Sequence, residues 1–368
     1  MKALTVGSAM VDTIAIIDSE RIERMTMRNA ERSFLLLEEG LKTEAGEIST
    51  HCGGGAINAA ISLSRLGLDV STLARLGRDG RAETVLTRLS EEGVSTRWTM
   101  RDAAAPTGSS VMLASHERNA AIFTFRGANT LLRAEDLNDD AFAVDLVYVT
   151  SLSDRSADCF PEIVSRARRQ GAMVATNPGI RQLSVRREAF FEALAEVDLL
   201  AINQVEAEAL VPGLIARSGE PPAPPHLEGD GERPSLLTSG LRGGGYDIEL
   251  AAFTAALCRL GPRWVIVTDG GDGAYLGTAE DLTFCPALEL PVAGTAGAGD
   301  AFSSTVSAWL AAGHDGQEAL RAGTCNAASV LGHVDTQSGL LDRDRLVRRM
   351  ADTEASLPCR HWALQPSN

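Results

Sequence analysis

The strongest constraint on what this chain can fold into is an alternation of two apolar patterns along nearly its whole length. Short, uninterrupted apolar runs (Leu4–Val6, Leu73–Leu76, Leu146–Val149, Met173–Ala175, Leu199–Ile202 and Trp264–Val267) read as strands buried on both faces. Between them lie amphipathic segments that stop at a glycine: Ala56–Leu66 before Gly67, Ala82–Glu92 before Gly93, Ala157–Gln170 before Gly171 and Phe253–Leu260 before Gly261. Strands and helices in this order, with right-handed crossovers, predict an α/β fold: a doubly wound, mostly parallel sheet sandwiched by helices. Ligands of such a sheet sit beyond the carboxyl ends of its strands.

Two stretches break the alternation. In the first, residues 13–51, Ser33–Leu37 and Ile48–His51 read as strands flanking a Glu38–Gly40 turn. In the second, Thr107–Phe125 alternates like paired strands around Glu117-Arg118-Asn119. Together they predict a small β-sheet projecting from the core, suited to serve as a lid. Residues Arg217–Gly245, dense in proline and glycine, read as a surface loop or partly disordered insertion.

With 34 lysines and arginines against 49 aspartates and glutamates, the chain carries a formal charge of −15, which argues against a nucleic-acid partner. No apolar run approaches the roughly 20 residues that cross a bilayer, so no membrane partner is expected. The opening stretch lacks the charged flank and cleavage pattern of a signal peptide. Six scattered cysteines with no CxxC pair read as reduced thiols, and the expected location is cytoplasmic.

Four segments could carry chemistry. In Gly294–Phe302 (GTAGAGDAF), Gly297, Ala298 and Gly299 let successive amides converge where a helix begins, an anion hole strengthened by the helix dipole. Asp300 on the first turn would lie beside the anion, placed to accept a hydroxyl proton. A glycine-rich turn with Asp300 as a helix-start residue fits equally well. In Gly53–Gly67, Gly53 and Gly54 allow close approach of a ligand and Asn58 offers both a donor and an acceptor for hydroxyls, or else is simply solvated. Thr268–Gly273 follows a strand and reads as a phosphate-holding turn or a plain β-turn. Asn203 and Glu206, one helical turn apart, suit either Mg²⁺ with its waters or a capping box.

In combination, these segments resemble the ribokinase-like (PfkB) family of carbohydrate kinases. The resemblance runs from the opening strand with Asp12 through GGGAINAA, Glu117-Arg118 to Gly127-Ala-Asn129, Asn177-Pro-Gly179, Asn203/Glu206, Thr268–Gly273 and GAGD to the helix with Asn326. It implies that residues 1–368 form one ribokinase-like domain, with lid elements at 13–51 and 107–129 and an insertion at 217–245. It implies ATP- and Mg²⁺-dependent phosphorylation of a primary sugar hydroxyl, with Asp300 as general base and the 297–299 amides as anion hole. Asp12, Gly53, Gly54 and Asn58 would hold the sugar. Thr268, Gly270, Gly273 and Asn326 would line the ATP side, and Asn203 and Glu206 would organise Mg²⁺. The lid would close over the sugar and serve as a homodimer interface.

The signature departs from the family's usual DTTGAGD in having Gly294 for its aspartate and Ala296 for its second threonine. That aspartate belongs to the monovalent-cation site of many members, which puts potassium activation in doubt. Two alternatives stand beside the sugar kinase. One is a nucleoside kinase of the same superfamily, with Phe34, Phe123 and Phe125 as candidate base-stacking residues; the other is a non-catalytic sugar- or nucleotide-binding relative.

Overall fold

The computed structural model describes residues 1–17, 23–27, 32–36, 40, 42–115, 120–229 and 231–365. Its centre is a ten-stranded sheet. Six parallel strands run side by side in the order Trp264–Thr268, Leu199–Asn203, Met173–Thr176, Leu146–Val149, Lys2–Val6 and Asp69–Leu73. Antiparallel strands Gly273–Gly277, Asp281–Pro286, Arg360–Gln365 and His226–Glu228 extend it beyond Trp264–Thr268.

Successive side chains of a strand face opposite ways, so a wholly apolar strand feeds two cores. Val147 and Val149 enter one apolar cluster while Leu146 and Tyr148 enter the other. The helices Phe160–Arg169, Gln204–Ser218 and Leu250–Cys258 cover the first face; Gly55–Arg65, Gly80–Glu91, Ala298–Ala311 and Gly316–Leu331 cover the second. This is the expected doubly wound sandwich.

Three expectations about elements change. The Leu73–Leu76 run belongs to two strands, Asp69–Leu73 in the main sheet and Arg75–Gly77, which pairs with Met100–Asp102. The Ala157–Gln170 segment starts as a 3₁₀ turn and becomes α-helical only at Phe160, with a proline in the first turn, where its missing N–H costs nothing. The Arg217–Gly245 stretch is folded against the core, not a loose loop. It holds the edge strand His226–Glu228, a short helix Ser235–Ser239 and the strand Leu241–Gly243, which pairs with Tyr246–Ile248. Leu227, Leu236, Leu237 and Leu241 are buried there, and these anchors outweigh the proline and glycine around them.

The second sheet is lid-like, with four strands in the order Ala120–Phe125, Gly108–Ser115, Met10–Ile17 and Glu47–Gly53. Asp12 lies opposite both Ser110 and His51. Strand Arg32–Leu36 pairs with Glu23–Met27, so the expected Ser33–Leu37 strand belongs to a separate hairpin and does not pair with Glu47–Gly53. Leu37 and Glu38 of the expected strand and turn, and the Glu117-Arg118-Asn119 turn, lie outside the described residues.

Candidate active site

Asp300 stands on the first turn of the Ala298–Ala311 helix, which the Gly294–Gly297 loop leads into. Gly297 occupies the N-cap position at φ 80° and supplies no side-chain acceptor, leaving the first helical amides open to a ligand. The glycine is required: a Cβ there would come within 2.6 Å of the Thr336 side chain, in a backbone conformation that disfavours any side chain. Gly299 faces open space instead.

Asn58 Nδ2 donates to Asp300 Oδ2 at 2.8 Å, joining the two glycine-rich segments across 242 positions of sequence. Burial pushes the Asp300 carboxyl above the usual carboxylate range; the Asn58 bond opposes that shift and the charge of Asp12 adds to it. Asp12 is also raised by burial, against the lowering effect of its bond from Ser110 and of His51. Gly53 lets Asp12 lie flat against the neighbouring strand, since a Cβ there would sit 1.9 Å from Asp12 Oδ2. Gly54, at φ 93°, brings its backbone against the Ser8 carbonyl. The structure therefore brings Asp12, Gly53, Gly54, Asn58 and Asp300 to one place.

Asn58 is held in one orientation by residues no motif announces. Its Oδ1 accepts from Thr336 Oγ1 at 2.9 Å and Gln337 Nε2 at 3.2 Å, which leaves Nδ2 to face Asp300. Gln337 is fixed in turn by the Cys52 carbonyl at 2.8 Å and by Arg88 Nε at 3.1 Å. A sequence reading had no signal for this pair, which lies in a loop beyond the Gly316–Leu331 helix.

On the other side of Gly299 opens a cleft of about 1160 Å³ lined by Thr268, Gly270, Gly273, Ala298 and Gly299. Its remaining walls include Ala287, Leu288, Leu290, Val292, Ala327 and Leu331. An apolar slot that ends at helix-start amides suits a flat base at one end and phosphates at the other. Asn326 does not line this cleft, contrary to expectation. It is fully buried, donating to Thr305 Oγ1 at 2.8 Å and accepting from the Leu341 amide at 3.0 Å, whereas its helix neighbours Thr324, Ala327 and Ala328 face the cleft.

Asn203 and Glu206 form a reciprocal capping box: the Asn203 side chain accepts from the Glu206 amide at 2.9 Å, and Glu206 Oε2 accepts from the Asn203 amide at 3.0 Å. Burial raises the Glu206 carboxyl to about 7. The phenol of Tyr148 is buried beneath the site, and the charges of both Asp300 and Glu206 act on it, which puts the two carboxyls within reach of one electrostatic neighbourhood. A Cβ on Gly294 would meet the His333 carbonyl oxygen at 2.8 Å and that of Val334 at 3.2 Å, so this loop closes over the position where a longer side chain would stand.

The base-stacking expectation fails for two of its three residues. Strand register puts Val111 and Phe123 opposite Thr13, and Phe125 opposite Ser109, on the face of the lid sheet away from Asp12 and Ser110. Phe123 and Phe125 remain 61% and 53% exposed there, turned away from the sugar-side carboxylate. Phe34 lies on the separate hairpin, opposite Met25.

A model of the family described as pfkB family carbohydrate kinase matches residues 6–222 and 244–343, leaving out part of the Pro/Gly-rich stretch. A deoxyribokinase of Salmonella typhi is 24% identical over 329 residues, covering 88% of this chain and 94% of that protein. A ribokinase structure from Thermotoga maritima superposes with a TM-score of 0.71 at 19% identity, covering 95% of this chain and 99% of the other. A putative ribokinase II from E. coli, solved in complex with ATP and Mg²⁺, superposes with a TM-score of 0.70 at 17% identity, with coverages of 95% and 99%.

Proposed function

Since the chain belongs to the pfkB family of carbohydrate kinases, and is therefore a phosphotransferase, we propose that it moves the terminal phosphoryl group of ATP to a primary hydroxyl of a sugar, with Asp300 as base. The observation that carries this reading is the desolvated Asp300 carboxyl, held by Asn58 at 2.8 Å on the first turn of a helix whose leading residues also line the large cleft. A sugar resting on Asp12, Gly53, Gly54 and Asn58 meets a nucleotide lying along Thr268, Gly270 and Gly273 at this point. The raised proton affinity of Asp300 suits it to take the hydroxyl proton as the oxygen attacks. The amides of Ala298 and Gly299, with that of Gly297 beside them, stabilise the negative charge spread over the transferred group.

The described residues hold no cluster of three or more metal-ligating side chains, which fits a Mg²⁺ carried mainly by phosphates and water. Glu206 keeps one carboxylate oxygen outside its capping bond and would hold the ion's waters, while Asn203 orients Glu206. Bound Mg²⁺ would supply charge neutralisation on the phosphates. The E. coli relative with ATP and Mg²⁺ supports this pairing of cofactors. Closure at Gly294 supports a site that works without potassium.

The outer lid face, with Ile48, Val111, Phe123 and Phe125 exposed, supports a homodimer through the lid. No helix of the described residues is long and apolar enough to cross a membrane. The decisive experiment is a coupled ADP-release screen over sugars, sugar phosphates and nucleosides, with and without K⁺. Turnover of nucleosides alone would replace the sugar reading, and ligand-induced thermal stabilisation with no ADP release from any acceptor would replace the catalytic one.

A further inference from the structure

Two of the six cysteines, Cys285 and Cys359, meet at the end of a strand pair, and neither serves the phosphoryl-transfer site. In the antiparallel ladder between Asp281–Pro286 and Arg360–Gln365, Thr283 lies opposite His361 and Phe284 opposite Arg360, so the next rung sets Cys285 against Cys359. The Leu364 amide donates to the Glu280 carbonyl at 2.7 Å, which makes those two a hydrogen-bonded pair. Hydrogen-bonded and non-hydrogen-bonded pairs alternate along such a ladder, and the alternation puts Cys285 and Cys359 at a non-hydrogen-bonded rung. Cα atoms there stand about 4.5 Å apart with both side chains on one face, within the roughly 4.4–6.8 Å that a disulfide spans. Both thiols also belong to one apolar cluster, Cys285 sealed inside it and Cys359 half-buried at its edge. Both lie over the helix Gly316–Leu331: Cys285 Sγ accepts from Thr324 Oγ1 at 3.7 Å, and Cys359 Sγ donates to the Gln317 carbonyl at 3.9 Å.

The pair is chemically uneven. A hydrogen bond from Cys285, with the charge of Arg321 one helical turn beyond Gln317, lowers the Cys359 thiol to about 7 against the effect of burial. The same bond, and then burial, raise the Cys285 thiol. Cys359 is therefore the sulfur that ionises and that an oxidant reaches, with Cys285 waiting behind it. Burial holds Cys52, Cys159, Cys258 and Cys325 as thiols. Cys285 is also built into the wall of the large cleft. Thr324 lines that cleft, Ala287 and Leu288 of its lining follow Cys285 closely in sequence, and a Cβ on Gly273 would sit 2.3 Å from the Cys285 carbonyl oxygen.

We propose that Cys285 and Cys359 are a peroxide-sensitive dithiol that closes reversibly to a disulfide and, in closing, deforms the nucleotide cleft. The Cys359 thiolate attacks one oxygen of hydrogen peroxide, the O–O bond breaks, and hydroxide leaves and takes up a proton to become water. The Cys285 sulfur then attacks the Cys359 sulfenic acid; the S–S bond forms, the S–O bond breaks, and the departing hydroxide carries off the Cys285 proton as a second water. Two electrons pass from the sulfurs to the peroxide, and a dithiol reductant returns them. Bonding draws Cys285 Sγ away from Thr324 towards Cys359, and the shift is passed to Thr324, Gly273 and Ala287 in the cleft wall. The effect on the nucleotide rests on the kinase reading above; the disulfide does not.

The test treats the full chain with hydrogen peroxide, removes the excess, maps unreduced peptides by mass spectrometry and titrates the protein calorimetrically with MgATP. The expected result is a linked pair of peptides carrying Cys285 and Cys359, with full return to the free thiols under dithiothreitol. MgATP should bind the oxidised form about fivefold or more weakly than the reduced form, the low end of ordinary coupling between sites. Cys359→Ser, at the half-buried position, should keep the MgATP affinity and ADP release of the reduced wild type and lose the response to peroxide. Cys285→Ala should lose that response as well. Absence of the 285–359 link, a link between other cysteines, or a response that persists in Cys359→Ser overturns the proposal, as does the expected link with unchanged MgATP affinity; each of these leaves the kinase reading standing. A reduced protein that neither binds MgATP nor releases ADP with any acceptor refutes the kinase reading and the effect on the cleft, and the peptide map still decides the disulfide.

Discussion

Asp300→Asn separates the chemistry of the carboxylate from its architecture. An asparagine side chain of the same shape still offers an oxygen to Asn58 Nδ2, which now donates at 2.8 Å, and the following helix keeps its start. What disappears is a proton acceptor beside the anion hole. General bases contribute about 10²- to 10⁴-fold, so the barrier should rise by about 2.7–5.5 kcal/mol and kcat should fall by at least about 10²-fold. The KM for ATP should change little, because the nucleotide cleft is lined by other residues. Stability should move the opposite way. Burial raises the folded-state proton affinity of Asp300, so its ionisation withdraws stability as the pH climbs from the ordinary carboxylate range through the raised value. The asparagine variant should therefore unfold at a higher temperature than the wild type at pH 7, with the gap closing in acid. Coupled ADP release under saturating substrates and thermal unfolding at several pH values check both halves. A variant that keeps kcat within about fivefold of wild type would show that Asp300 is not the base; lost activity with a lowered melting temperature would show a structural role instead.

Asp12→Ala should raise the KM for the sugar with a smaller effect on kcat, and a change confined to the KM for ATP would contradict its place in the site. Gly53→Ala should do much the same by displacing Asp12, whose Oδ2 would lie 1.9 Å from the new methyl group; a loss of one charged hydrogen bond corresponds to about a tenfold or larger rise in sugar KM. Glu206, raised to about 7 by burial, withdraws stability as pH rises from about 4.5 to 7. Glu206→Gln should therefore raise the melting temperature at pH 8 but not at pH 4, while weakening saturation by MgATP. Replacing K⁺ by Na⁺ should leave the rate unchanged, and a strong K⁺ requirement would show that the closed loop at Gly294 opens in solution.

The parallel half of the sheet was legible because strands buried on both faces are apolar at every position, as Leu146–Val149 is. The antiparallel extension was not, since Gly273–Gly277 and Arg360–Gln365 mix glycine, charge and aromatic residues without a clear period. The glycine-rich segments stood out in the sequence because they serve backbone geometry at Gly54 and Gly297, where the requirement is local. Asn326 misled because both faces of the Gly316–Leu331 helix are in use, one lining the cleft and one sealed inside, and the sequence does not tell which face a residue is on. Thr336 and Gln337 stayed hidden because their contact with Asn58 is made only by the fold, 278 and 279 positions away.

The strand Arg360–Gln365 lies between Asp281–Pro286 and His226–Glu228, and it drives Trp362 into the interior. Until the ribosome has delivered residues 360–365, the edge segment at 226–228 has nothing to zip onto and the flank of 281–286 stays open to other chains. Maturation of this enzyme therefore waits on this late strand, and a chain ended at Cys359 should yield a sticky, aggregation-prone product even though every residue around Asp300 is present.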